Sequence, residues 1–252
     1  MWFPLASVEG VHTITAAQSG VAQNRRTAGE RVISYSGQMR VTKFGHACVR
    51  ISYADAVVVL DPGVFTEAAA VDGATAILIT HEHPDHYDPD HLRASDARIF
   101  TIESVAAQIR RQAPDLVERV SVVEPGSSFD VGVTVDVVGF QHAVIHRDLP
   151  RIDNSGYLLT AGDRRVYHPG DSLTLPEADV DLLLAPISAP WLKVSEAIDF
   201  VRAVGAPRTL GIHDKIYTDA ALGIVDTHMG NLLPDGQEFL RLRDGEDVPG
   251  TS

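Results

Sequence analysis

The sequence predicts a fold of β-sheets covered by helices, and three observations lead to it. Short apolar runs alternate with turn residues, helical patterns fall between them, and neither a repeat of solenoid period nor an inter-domain linker interrupts the series. Strands are expected over 41–44, 48–51 and 57–60, the last closed by Asp61, Pro62 and Gly63. Further strands are expected over 76–80, 99–102, 120–123, 133–138 and 157–160. Ala161-Gly162-Asp163 reads as a hairpin turn into a strand at 165–167, and 180–185 and 209–212 complete the set. Helices are expected over 89–94, over 104–112 with Val105 and Ile109 between polar residues, and over 195–204. The last of these places Ser195 at its N-cap, with Ala197, Ile198, Phe200 and Val201 following.

Composition narrows the functional classes. Hydrophobic residues make up 44% of the 252 and charged residues 22%, the balance of a packed globular chain. The net charge of −13 works against long nucleic acids and anionic membrane surfaces, both of which attract clustered Lys and Arg. A small-molecule substrate is expected instead, and a small anion stays admissible because a divalent ion can reverse the local field. No run approaches the roughly 20 apolar residues of a membrane span, and 1–8 lacks the basic leader of a secretory signal. The single cysteine, Cys48, allows no intrachain disulfide and fits a reducing, cytoplasmic compartment. It lies in an apolar run and reads as a buried structural thiol. Residues 1–38 read as a loose extension and 39–252 as a single domain. A native start at Met39 is a hypothesis that the mass of the protein made from its own gene decides. A homo-oligomer is compatible with everything in the sequence.

The chemistry concentrates at the end of the 76–80 strand, which delivers the chain into His81-Glu82-His83-Pro84-Asp85-His86. Random placement of His and Asp at this chain's composition would produce that spacing about 0.002 times per chain. Imidazoles and a carboxylate are the ligands that borderline divalent ions such as zinc prefer, and a tight loop can aim alternate side chains at two adjacent centres. The competing reading is a solvated, His-rich turn, which Pro84 and Asp88-Pro89 would also fit.

The segment Thr80-His81-Glu82-His83-Pro84-Asp85-His86 resembles the signature of the metallo-β-lactamase fold superfamily of hydrolases. Lys43-Phe44-Gly45-His46-Ala47-Cys48 and Leu60-Asp61-Pro62-Gly63 resemble its first strands, especially in the L-ascorbate-6-phosphate lactonase-like branch. Tyr167-His168-Pro169-Gly170-Asp171-Ser172 resembles the motif that supplies a bridging aspartate. The resemblance spans about residues 39–225 in motif order. It implies an α+β fold, a four-layer αββα sandwich with two divalent ions at one edge, Zn2+ first and Mn2+ or Fe2+ as alternatives. His81, His83 and His142 would hold the first ion, and Asp85, His86 and His213 the second, with Asp171 between them. Asp85 and Asp171 would also serve in catalysis. The implied reaction is hydrolysis of a small ester, lactone or phosphoester by a metal-activated hydroxide, with no serine or cysteine nucleophile.

Several positions carry two readings. His142 follows the 133–140 strand as the family's third histidine does, whereas His146 could contact substrate. His213 is a ligand or a surface histidine at a strand end. Asp61 is a turn residue or the acceptor that orients a ligand imidazole. His46 and His168 line the site or are satisfied locally. Trp191 is a substrate contact or core packing, and Lys193 a substrate contact or a solvated charge. His12, His91 and His228 read as surface residues. Tyr87 and Asp88 stand where thioesterase-like and β-lactamase-like members resemble one another in carrying small residues. His83 stands where flavin-linked di-iron members carry glutamate. Mononuclear-iron dioxygenase chemistry on the same fold, and non-catalytic binding, are the rival functions; a nuclease fits poorly, for want of a basic, aromatic-studded stripe.

Overall fold

The computed structural model describes residues 37–251. The expected extension over 1–38 lies, but for its last two residues, outside them, as does His12. The described residues form two sheets of six and seven strands. The first contains β1 (Arg40–Lys43), β2 (Val49–Tyr53), β3 (Ala56–Leu60), β4 (Ala76–Ile79), β5 (Arg98–Thr101) and β6 (Val120–Val122), in that spatial order. The second contains β7 (Ser128–Asp130), β8 (Thr134–Val138), β9 (Gly156–Ala161), β10 (Arg164–His168), β11 (Leu182–Pro186), β12 (Arg208–Ile212) and β13 (Glu238–Leu240). Each sheet begins as an antiparallel meander and continues as parallel strands, from β3 onward in the first and from β10 onward in the second.

The pleat explains why the parallel strands read as unbroken apolar runs. Successive side chains face opposite sides of a sheet, and here both sides are covered. Val58, Leu60 and Leu78 face the core between the sheets, where they meet Val135, Leu159, Leu182, Leu184 and Leu210. Val59, Ile77 and Ile79 face outward, against Leu92 of α1 (Pro89–Arg93) and Val105 and Ile109 of α2 (Glu103–Gln112). Across the molecule, Leu183 and Ala185 face Ala197, Ile198 and Val201 of α3 (Val194–Val204), joined by Leu222, Val225 and Met229 of α4 (Asp219–Leu232). The result is the four-layer αββα sandwich that the resemblance implies. Cys48 is fully buried, and burial pushes its thiol far above the ordinary range, as a structural cysteine requires.

Local expectations failed at the two edges of the second sheet, where strands β7 and β13 were not expected, and in two helices. The N-cap of α3 is Lys193, not Ser195, because Glu196 reaches back to accept the Lys193 N–H at 3.0 Å. Helix α4 was not expected at all. Gly223 and Gly230 each weaken it by about 1 kcal/mol relative to alanine, so its existence rests on the packing of Leu222, Val225 and Met229 and on the Thr218 hydroxyl accepting the Ala221 N–H.

Lys43 carries a charge into the interior. Its side chain is 1% exposed, with Nζ 3.1 Å from Asp214 and 2.9 Å from Asp244. Backbone bonds from Lys43 to residues 245 and 246 tie the chain's end to β1. Burial pushes the Asp244 carboxyl up, but hydrogen bonds from Lys215 and Lys43 outweigh it and hold the group below the usual carboxylate range. A carboxyl lowered on folding stabilises above its unfolded value of about 3.9 and ceases to do so as acid protonates it. Lys43→Met leaves the buried Asp214 without its cation and Asp244 with Lys215 alone, and is expected to cost about 3 kcal/mol, read as a lower Tm. The deficit against the parent should shrink when the two proteins are melted in acid.

Candidate metal centre

The loops that leave one edge of the sandwich bring the candidate residues together. Asp61 follows β3, His81 follows β4 after Thr80, Asp171 follows β10 and His213 follows β12. His142 lies four residues beyond β8. Among the described residues, four other than glycine adopt a left-handed backbone, and three of them, His46, Asp61 and His213, are at this edge. Such conformations cost about 1–3 kcal/mol each and persist where the surroundings enforce them. Packing is equally tight: a Cβ on Gly63 would lie 2.1 Å from the Asp85 carbonyl, so only glycine lets the two loops touch.

Two groups of side chains place one potential ligand atom each within 4.8 Å of one another: His81, His83, His142 and Asp171, and His46, Asp85, His86 and His213. Asp171 also reaches the second group, at 3.2 Å from His86 Nε2 and 3.3 Å from His213 Nε2. Hydrogen bonds fix how four of these imidazoles present themselves. The Thr80 hydroxyl donates to Asp61 at 2.7 Å, so its oxygen accepts from His81 Nδ1 at 3.0 Å. His86 Nδ1 donates to Asp61 at 2.7 Å, His142 Nδ1 to the Ala143 carbonyl at 2.6 Å, and His213 Nδ1 to the Ser188 carbonyl. Each ring therefore keeps a proton on Nδ1, so Nε2 is the nitrogen left to face a cation. His83 faces His81 through Nδ1, 3.1 Å from His81 Nε2.

This donor set fits divalent cations. Among the described residues, His86 Nε2, His142 Nε2, His213 Nε2 and Asp171 Oδ1 are buried with no hydrogen-bond partner; their short contacts lack hydrogen-bond geometry. Orphaned buried polar atoms are costly, and a shared cation satisfies all of them together. The electrostatics lead to the same conclusion. Burial lowers the affinity of His81 and His83 for protons. In His86 and His213 burial is overcome by Asp171, with Asp61 adding to it at His86 and Asp85 at His213, and the His213 value rises to about 9. Burial likewise opposes the charges of Asp85 and Asp171, but neighbouring imidazoles keep both ionised. A buried carboxylate, Asp171, and a partly buried one, Asp85, thus demand positive charge at this point.

The remaining candidates separate. His46 is buried, accepts the Lys215 N–H on Nδ1 at 3.1 Å and consequently donates from Nε2 to Asp85 at 3.1 Å, the reverse of the tautomer found in the other rings. His168 is satisfied at both nitrogens, accepting the Gly170 N–H and donating to the Ala47 carbonyl, and reaches neither group. His146 is 59% exposed and pairs locally with Asp148. Lys193 is 79% exposed and pairs with Glu196. Trp191 is half-buried and donates its indole N–H to Asp171 at 3.1 Å, with its ring edge-on to His142. Sequence reasoning had no sign of Asn154, whose side chain accepts the Asp171 N–H at 3.0 Å, or of Ser188, because both act through backbone groups.

Fold and site define the class: a member of the metallo-β-lactamase superfamily of metal-dependent hydrolases. Residues 40–213 match the family model described as the beta-lactamase superfamily domain, and the chain belongs to that family. It is 39% identical over 197 residues to protein Rv0786c of Mycobacterium tuberculosis, covering 74% of this chain and 89% of that one. It is 24% identical to a UPF0173 metal-dependent hydrolase of Methylobacterium nodulans, covering 83% and 94%. The metallo-beta-lactamase fold protein YhfI of Bacillus subtilis superposes with a TM-score of 0.64 at 15% identity, over 83% of this chain and 98% of that one, a likeness of fold.

The contact between Gly63 and the Asp85 backbone yields a test. Gly63→Ala should cost about 1–3 kcal/mol of stability by overpacking. It should also reduce bound metal in the fraction that folds, measured by elemental analysis beside a thermal melt.

Proposed function

We propose that this chain hydrolyses a small ester, lactone or phosphoester at a dinuclear centre of the zinc type, in the manner of the lactonase-like branch its motifs resemble. The observation that carries the proposal is the set of four Nδ1-protonated imidazoles aiming Nε2 at two carboxylates. His81, His83 and His142 would hold one ion, Asp85, His86 and His213 the other, and Asp171 both. Ligand sets of three nitrogens with one carboxylate, or two nitrogens with two carboxylates, suit Zn2+, with Mn2+ and Fe2+ as the nearest alternatives. Once bound, such a pair supplies water ionised near neutral pH in place of about 15.7 and a Lewis acid for the scissile oxygen.

The chain's own groups do the rest. Asp61 holds His86, and through Thr80 also His81, so that both rings are oriented before any ion arrives. His46 acts from outside the ligand set: its Nε2–H positions the Asp85 carboxylate. Asp85 is 22% exposed against 3% for Asp171, so it is the carboxylate placed to take a proton from an attacking water and return it to the leaving group. Trp191 holds Asp171 from the opposite side.

His83→Ala and Asp171→Ala should each lower metal content and turnover together, by elemental analysis and a panel of lactones, esters and phosphodiesters; full activity in either variant would refute the ligand set. One iron and no zinc, with oxygen consumption, would transfer the fold to dioxygenase chemistry. His46→Leu should weaken zinc binding at the second position about 10- to 100-fold in equilibrium dialysis, and His46→Gln, which keeps a donor, should recover part of it.

A further inference from the structure

The rim of the site has a composition that the ligand set does not require. Among the described residues, half of the twelve exposed large apolar side chains follow directly on three loops of the centre. Val64 and Phe65 come after Asp61, Val144 and Ile145 after His142, and Ile216 and Tyr217 after His213, all between 37% and 51% exposed. Scattered apolar residues on a surface are ordinary, but concentration on the loops of one candidate centre is not. Contacts place two of them, Phe65 and Val64, beside the candidate ligand loops. The Phe65 ring lies edge-on to His46 at 5.3 Å, and the Val64 N–H donates to the Pro84 carbonyl within the 81–86 loop. The Trp191 ring, 5.6 Å from His142, continues the same apolar lining.

Each nearby cation has an acidic or carbonyl partner: Lys215 pairs with Asp244 and Arg151 donates to the His142 carbonyl, while Lys193 and Arg147, 79% and 88% exposed, pair with Glu196 and Asp148 at the surface. Recognition of a phosphate or a second carboxylate uses lysine or arginine donors free to turn toward it.

We propose that the substrate is an uncharged ester or lactone whose non-reacting part is an aliphatic or aromatic group, packed against the rim formed by Val64, Phe65, Val144, Ile145, Ile216 and Tyr217. The inference rests on the hydrolase reading above and narrows it. Attack of water on the acyl carbon breaks the acyl–oxygen bond, releasing a carboxylic acid and an alcohol, or a hydroxy acid from a lactone. No co-reactant beyond water is needed.

The test uses the full chain loaded with zinc. p-Nitrophenyl acetate, butyrate, hexanoate and octanoate are compared with p-nitrophenyl phosphate and bis-p-nitrophenyl phosphate, each normalised to its rate in hydroxide. kcat/KM is expected to rise about fourfold for each methylene that reaches the rim, mainly through KM, with the phosphates left intact. Phe65→Ser and Ile216→Ser should each lower the octanoate-to-acetate ratio about tenfold. Calorimetry, independent of turnover, should show octanoate binding more tightly than acetate, and the difference shrinking in both variants. A flat ester series, or faster cleavage of the phosphates, overturns this inference while leaving the hydrolase reading standing. No hydrolysis of any member by protein shown to contain zinc overturns the hydrolase reading itself. If the serine variants instead turn a dimer into monomers and leave the series unchanged, the rim is an interface between copies and the inference falls.

Discussion

The Asp61 carboxylate is fully buried and accepts three hydrogen bonds, from the Thr80 N–H, the Thr80 hydroxyl and His86 Nδ1, at 2.7–2.8 Å. A buried charge without such partners would be untenable, so the loop after β3 and the loop after β4 cannot separate without exposing it. Two of those bonds, from the Thr80 hydroxyl and from His86 Nδ1, set the Nδ1 protons of His81 and His86. One carboxylate therefore joins the two sheet-end loops and prepares two imidazoles for ligation, which is why its residue tolerates a left-handed backbone.

Around that anchor the fold provides rigidity at little further cost. Strands buried on both faces hold their C-terminal ends in fixed register, and the loops leaving those ends inherit that precision. The strained residues His46 and His213 are linked directly, since the His213 N–H donates to the His46 carbonyl. Lys43, Asp214 and Asp244 then lock the strand before His46 to the residue after His213. The interior ion pairs and the site are one connected construction.

Charge operates on two scales here. The chain as a whole is strongly acidic, yet its buried centre holds carboxylates that require cations, with imidazoles arranged around them. The proposed apolar contact with substrate suits that situation, because it asks the protein to neutralise no second negative charge.

The sequence determined a good deal by itself. The 81–86 spacing marked the candidate ligand loop, the apolar runs marked most strands, and the order of motifs led to the αββα sandwich. These were legible because each depends on neighbours in the chain: strand, turn and ligand spacing are local. Helix α4 was not, since its glycines argue against a helix that only packing sustains. The opposite tautomers of His46 and His86, the satisfied state of His168, the indole bond from Trp191 and the apolar rim were also decided only by tertiary structure. Each depends on which groups from distant loops meet a given ring nitrogen or line a given opening, and no spacing along a single chain encodes that distance.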